Sequence, residues 1–458
     1  SARPSQRLAP LVLTARSDAA LRKLASAYRS QIADDAAGDA ADVGAIANAA
    51  AYGRDFLDHR AVIVADDKAS VVEALDALVE ARENPRLVVG RAQSRSAKTL
   101  FAFSGNGSQW AGMGRAALAN DPQFADAIAQ VDAELSPLVG WSTLDVLKAP
   151  DLEERLREAH VAQPLLFAIQ VAVVIALAAR GVRPDAVVGH SVGEVAAAWA
   201  AGALSLADAA KVIDARSRSQ EYVRGAGAMA ALNAPADAVA AALADGKFDG
   251  VEIAAFKAPA SLTMSGPVEA LDRFLKVARA NRWPFRRLAI EYPYHTALLE
   301  PTREALSADL RGIRARAAHT TFYSSVFGEE ADCARLDASY WWQNVRQPVL
   351  FEKAVAAALE TGPAVAIEIG PSPVLSGYLN ATARENARSL AVLPSLQRED
   401  DAADASPLEI VAARALASGA DVDKSIVFGA PAKITCELPH YPWDQATFKP
   451  TPSAEASN

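Results

Sequence analysis

The segment AVVGHSVGEVAAAWAA (186–201) constrains the fold more than any other. A short apolar run, Ala186-Val187-Val188, meets Gly-x-Ser-x-Gly and then an alanine-rich stretch. That order reads as strand, tight turn, helix, with glycine where the backbone passes closely. Such a turn lifts the Ser191 hydroxyl to the top of a sheet. The following helix, expected from Val192 to Ala201, presents free N–H groups that can stabilise an oxyanion. Any junction of small residues can show this spacing by chance, so the serine needs partners before it means anything.

The wider pattern is α/β, with strand-length apolar runs alternating with helix-length ones. PLVLTA (10–15), AVIVA (61–65) and RLVVG (86–90) read as strands. Between them lie helices with Leu21, Leu24, Tyr28 and Ile32, then Val71, Leu75, Leu78 and Val79, turned inward. This small unit closes at the polar AQSRSAK (92–98) and carries no compact set of catalytic residue types. TLFAFSGNGSQW (99–110) then reads as a strand and a Gly-rich loop. Residues 227–290 change rhythm: strand, helix, two strands around Lys257–Ala260, helix, strand. That βαββαβ order is a ferredoxin-like arrangement inserted in the larger unit, because α/β signals resume at TFYSSV (321–326) and AVAIEIG (364–370). After about 395 the chain turns polar, with a helix near 407–418 and a proline-bearing extended tail.

The chain has 458 residues and 51% hydrophobic composition, ample for a large core and for two to four structural units. A net charge of −9 argues against nucleic acid as the main partner. Cys333 and Cys436 form no metal spacing or disulfide framework, so no metal is expected and a reducing, cytoplasmic setting is. SARPSQRLAP shows no apolar signal core. FAIQVAVVIALAA (167–179) is too short to span a bilayer and contains Gln170, so it reads as a buried helix and no membrane is expected.

A serine nucleophile needs a base. Of six histidines, His59 and His440 lie in flanking segments, His190 is locked beside the serine, and His160 and His319 lack a suggestive context. His295, in YPYHTALLE where the chain leaves the inserted unit, is the base by elimination. Arg216 lies 25 residues after Ser191 in the largely apolar VIDARSRSQ. Two readings stand for it: a solvated helix face, or a guanidinium fork for a carboxylate.

Together these residues resemble the acyltransferase domains of type I polyketide and fatty-acid synthases, over nearly the whole chain. SGNGSQWAGMG (104–114) is similar to the family's Gly-Gln-Gly-x-Gln loop, with Asn106 in place of its first Gln. GHSVGE matches the nucleophile motif, and Arg216 and His295 match the family's arginine and histidine in order and spacing. YWWQNVRQPVLF (340–351) resembles the stretch whose Asn, here Asn344, orients the histidine through its backbone carbonyl. IANAAAYGRDFLDHRAVIVA (46–65) looks like the linker from a ketosynthase, and LPHYPW (438–443) like the linker after the acyltransferase.

The resemblance implies an α/β-hydrolase-like core at 98–226 and 291–394 and a ferredoxin-like subdomain at 227–290. It also implies a ketosynthase-side α/β linker domain at 1–97 and a following linker at 395–458. It further implies that Ser191 takes an acyl group from a carboxyacyl-coenzyme A and passes it to the phosphopantetheine arm of an acyl carrier protein. In that scheme His295 is the base and the N–H groups of Gln109 and Val192 form the oxyanion hole. Arg216 holds the substrate carboxylate, and no cofactor is resident.

Val192 is of the type usual for malonyl enzymes. Tyr292-Pro293-Tyr294-His295 matches neither the malonyl nor the methylmalonyl pattern. Tyr292 leans towards methylmalonyl, while Tyr294 is bulky where a serine would leave room for a methyl. Malonyl is the expected acyl group, and methylmalonyl is the alternative. A serine esterase sharing the elbow is the competing class, although it would require an Asp or Glu behind the histidine.

Overall fold

The computed structural model describes residues 8–34, 40–244, 248–398, 406–433 and 436–443. Two compact units divide the chain, one from its start to Ala92 together with Phe428 onwards, the other Gln93–Val427. The far end of the expected tail (444–458) and part of the polar stretch (399–405) lie outside the described residues.

In the smaller unit β1 (Leu11–Ala15), β2 (His59–Ile63) and β3 (Leu87–Arg91) form an antiparallel sheet in that order. Helices Asp18–Asp34 and Lys68–Glu80 contribute their apolar stripes to its core. The second is started by Asp67, whose side chain accepts from Ser70 N. Val71, Leu75 and Leu78 are buried as expected, but Val79 is exposed. The buried stripe is Val71, Ala74, Leu75, Ala77 and Leu78, and the step of about 100° per residue carries Val79 past its edge. The helix Ala40–Gly53 was not foreseen, because its small residues give little contrast between faces. LPHYPW lies in this unit, where Tyr441 Oη accepts from Arg16 N at 2.9 Å.

The larger unit opens with β4 (Lys98–Phe103) and β5 (Ala186–Gly189). The chain then makes β6 (Ala228–Asn233), β7 (Glu252–Ala258), β8 (Ser261–Gly266) and β9 (Phe285–Arg287). It returns through β10 (Thr321–Ser324), β11 (Glu329–Glu330), β12 (Val349–Leu350), β13 (Pro363–Ile369) and β14 (Ala391–Pro394). The main sheet runs β11-β10-β5-β4-β13-β14, parallel except at the β10–β11 edge. Residues 227–290 supply four strands of a separate sheet ordered β12-β7-β8-β6-β9, with helices Ala236–Ala244 and Val268–Ala280 between them.

Alternation along β4 explains the layering. Phe101 and Phe103 enter one core cluster, while Leu100 and Ala102 enter another on the opposite face. The helix Ala159–Ala178 packs into the first of these clusters. It runs longer than the apolar stretch expected at 167–179, long and apolar enough by composition to cross a membrane, yet 83% of its most apolar window is buried in the protein. Leu408, Val411 and Leu416 of helix Pro407–Ser418 join the same core. This unit therefore runs to Val427, beyond the boundary read at 394.

Candidate active site

The elbow is built as its sequence demands. Strand β5 ends at Gly189, and helix Gly193–Ala200 begins four residues later. A Cβ on Gly189 would collide with Glu194 N, and one on Gly193 with Phe103 O. Neither position tolerates a side chain. Ser191, between them, has φ of 55°, a left-handed conformation that non-glycine residues adopt only when their surroundings enforce it. Val192 occupies the N-cap position, so its N–H is one of the donors that a helix start leaves over.

Ser191 Oγ lies 2.8 Å from His295 Nε2. His295 also has positive φ, 60°, and is buried. Its Nδ1 lies 2.9 Å from the carbonyl oxygen of Gln347. A carbonyl can only accept, so Nδ1 carries the proton and Nε2 is free to take one from the serine. Burial, then the positive charge of Arg216, hold the imidazole far below its ordinary range, at about 3. The pair can therefore act as nucleophile and neutral base.

The other histidines are engaged elsewhere. His59 meets Asp18, His160 lies between Glu158 and Glu221, His319 meets Thr320, and His440 is exposed beside Glu437. His190 packs edge-on against Phe351, and its buried Nε2 has no partner among the described residues.

Arg216 is fully buried on helix Leu206–Glu221, which Ser205 caps. The solvated-face reading is thereby excluded. Its Nη2 donates to Ser191 Oγ at 2.9 Å, Nε to Asn344 Oδ1 at 2.9 Å, and Nη1 to Gln163 Oε1 at 2.6 Å and Gln220 Oε1 at 3.1 Å. Every one of these acceptors is neutral. Among the described residues no carboxylate forms an ion pair with it. Burial lowers its pKa to about 10, which leaves it cationic at neutral pH. Glu194 reaches it only through the Asn344 amide, so an anion placed directly on this buried guanidinium would be favoured.

Asn344 departs from its expected role. The carbonyl behind His295 belongs to Gln347, three residues further on. Helix Ala338–Arg346 ends between the two, so Gln347, with extended backbone, carries a carbonyl outside the helical hydrogen bonding. Asn344 acts through its side chain: Oδ1 accepts from Arg216, and Nδ2 donates to Glu194 Oε2 at 2.7 Å and Ser191 O at 3.1 Å. Glu194 is fully buried and pushed up to about 7 by that burial. It also accepts from Tyr340 Oη at 2.8 Å and from Ser325 N.

The Gly-rich loop lies against the elbow, since a Cβ on Gly105 would meet His190 O at 2.6 Å. Gln109 lines a cavity of about 700 Å³ together with Asn106, Arg157, Arg287, Tyr292 and Tyr294. The rings of Tyr292 and Tyr294 stack in parallel, 5.1 Å apart and 4° off plane. Tyr292 Oη is held by Glu221 Oε2 at 2.8 Å and by Ala159 N at 3.0 Å. Both phenols are raised by burial and stay neutral.

The family described as Acyl transferase domain matches residues 100–422, which contain every residue of this cluster. The acyltransferase domain from module 8 of the salinomycin polyketide synthase superposes with a TM-score of 0.83 at 34% identity, covering 91% of this chain and 97% of that one. The chain belongs to the acyltransferase domains of polyketide synthases. Erythronolide synthase EryA2 of Saccharopolyspora erythraea is 36% identical over 98% of this acyltransferase chain, and Mycoketide-CoA synthase of Mycobacterium tuberculosis is 36% identical over 96% of it. The chain spans only 12% and 10% of those two proteins. Residues 9–75 match a second family, described as CurL-like, PKS C-terminal.

Besides the Gln347 carbonyl, three side chains of the acyltransferase site escaped the sequence reading: Glu194, Gln163 and Gln220. Glu194 stood inside the quoted motif. Gln220 lies four residues after Arg216 and so shares its helix face. Gln163 interrupts an apolar helix, as does Gln170, which instead ties Ser104 O and Ile369 O at the strand ends.

Proposed function

We propose that the chain moves a carboxyacyl group from coenzyme A to the phosphopantetheine thiol of an acyl carrier protein through an ester on Ser191. The observation that carries this reading is Arg216: a buried guanidinium that touches the serine oxygen and has no carboxylate partner among the described residues. An esterase has no use for such a group. It would also place a carboxylate behind its histidine, where this chain has the Gln347 carbonyl.

In the first step Ser191 Oγ attacks the thioester carbon while His295 Nε2 takes its proton. The carbonyl oxygen becomes an oxyanion held by the N–H groups of Val192 and Gln109. The C–S bond breaks, and His295 returns the proton to the departing thiolate. The second step reverses this with the carrier's thiol as nucleophile. Arg216 fixes the free carboxylate of the acyl group. That pairing offsets the positive field on His295 just when it must accept a proton. The chemistry uses side chains and backbone alone, and the phosphopantetheine belongs to the partner.

The main sheet is read as an α/β-hydrolase-like core, and residues 227–290 as a ferredoxin-like insert whose β9-β6-β8-β7 order fits that arrangement. The smaller unit is read as linker sequence that adjoins a ketosynthase, in a cytoplasmic synthase.

The shift on His295 has a measurable consequence. Loading by the free enzyme should stay nearly flat from pH 7 to pH 5, because the base remains unprotonated. An ordinary imidazole, with a pKa of about 6.5, would lose roughly 25-fold over that interval. A pH profile of single-turnover loading checks this, and a steep fall centred above pH 6 contradicts it.

Malonyl is the acyl group that the pocket favours. Tyr294 adjoins His295, and its ring is backed by Tyr292, whose hydroxyl is pinned. On this reading the stack limits the space beside the C2 carbon of an acyl group on Ser191. Malonyl should load about tenfold to two-hundredfold faster than methylmalonyl, the range one methyl supplies. Tyr294→Ser should narrow that gap. Competition between the two coenzyme A esters, read by intact mass, decides it, and faster methylmalonyl loading by the wild type contradicts it.

A further inference from the structure

Gln220 lies one turn after Arg216 and is fully buried. Its Oε1 accepts from Arg216 Nη1 at 3.1 Å and from Gln163 Nε2 at 2.6 Å. A guanidinium only donates, so the atom facing Arg216 must be the amide oxygen, and the orientation of the amide is fixed. The other end, Nε2, is buried and has no hydrogen-bond partner among the described residues. Among the described residues seven other buried side-chain atoms also lack a partner, but of all eight only Gln220 Nε2 belongs to a side chain bonded to Arg216.

The position of this donor indicates the ligand. Arg216 reaches Ser191 Oγ with Nη2 and the Gln220 amide with Nη1. An acyl group esterified to Ser191, with its free carboxylate on Arg216, has its C2 carbon between those two anchors. A small substituent on C2 therefore lies among the side chains that surround the guanidinium. Gln163 also accepts from Arg216, and Tyr294, which interacts with Gln163, lines the adjoining cavity, so the surroundings of the guanidinium are polar.

We propose that Gln220 reads the C2 substituent, and that the pocket takes a carboxyacyl group carrying a hydroxyl at C2, a hydroxymalonyl unit, over one carrying a methyl. The inference rests on the acyl-Ser191 and Arg216 readings above. Hydroxyl and methyl are nearly the same size, so Tyr294 restricts them alike and their ratio isolates the hydrogen bond. A site that donates to a substrate oxygen discriminates strongly against the analogue lacking it.

The test measures single-turnover loading of malonyl-, hydroxymalonyl- and methylmalonyl-coenzyme A by intact mass, for the wild type, Gln220→Met and Gln220→Glu. Neither replacement side chain, the glutamate being ionised, offers an N–H. The wild type should load hydroxymalonyl at least tenfold faster than methylmalonyl, and both variants should reduce that ratio at least fivefold. A wild-type ratio near one means that water or nothing meets Nε2, and it overturns the inference even if neither variant folds. So does an unchanged ratio in a Gln220→Met protein that melts like the wild type. In both cases malonyl still loads. Absence of malonyl loading by the wild type would instead overturn the acyl-serine reading itself.

Discussion

Ser191→Ala should give no covalent adduct with malonyl-coenzyme A, and transfer to a carrier protein should fall by a factor on the order of 10⁴ or more. His295 and Arg216 both hydrogen-bond the Ser191 hydroxyl. Its loss removes the nucleophile and leaves the oxyanion donors with nothing to stabilise. It also strips a partner from a buried guanidinium and a buried imidazole. The variant should therefore be less stable by about 1–3 kcal/mol, the usual consequence of an unmet buried polar group. Thermal melts and quenched mass spectra on the same preparation separate the two effects. A normal adduct in a folded Ser191→Ala protein would place the nucleophile elsewhere.

Arg216→Ala should lower the malonyl-to-acetyl loading ratio by about tenfold to a hundredfold. A charge-assisted hydrogen bond contributes about 1.5–3 kcal/mol, and each 1.4 kcal/mol is tenfold. Acetyl has no carboxylate and gains nothing from the fork, so its loading should fall less or even rise. Arg216→Lys sharpens the reading. It keeps a positive charge but lacks the planar fork that holds Asn344, Gln163 and Gln220 at once. Its ratio should lie between wild type and alanine. Unchanged discrimination in both variants would mean that the guanidinium serves only to tie the helix Leu206–Glu221 to its neighbours.

What could be read from the sequence follows from how local each signal is. The elbow was legible because Gly189 and Gly193 are required by contacts within a few residues and one neighbouring strand. The inserted strands and helices were legible because their apolar periods are short and regular. His295 was reachable by elimination, since a serine needs a base and the other histidines had poor contexts. The polar network around Arg216 was not reachable in that way. Gln163, Asn344 and Glu194 come from three other segments, and nothing in their spacing says that they will gather around a guanidinium; only Gln220, one turn after Arg216, was within local reach. The carbonyl behind His295 was missed by three residues because any backbone position offers the same oxygen, and the end of a helix decides which one is free. Helix Ala40–Gly53 was missed for a third reason: small residues pack well without a strong periodic contrast.

The most direct measurement of the central claim is the intact mass of the wild-type protein after brief mixing with malonyl-, methylmalonyl- and acetyl-coenzyme A, followed by peptide mapping of any adduct. The account predicts one malonyl group per chain, located on Ser191, discharged when an acyl carrier protein bearing phosphopantetheine is added, and scarcely any acetyl. An adduct that forms equally from acetyl-coenzyme A, or hydrolyses to free acid without passing to the carrier, would contradict it and leave a serine hydrolase in its place.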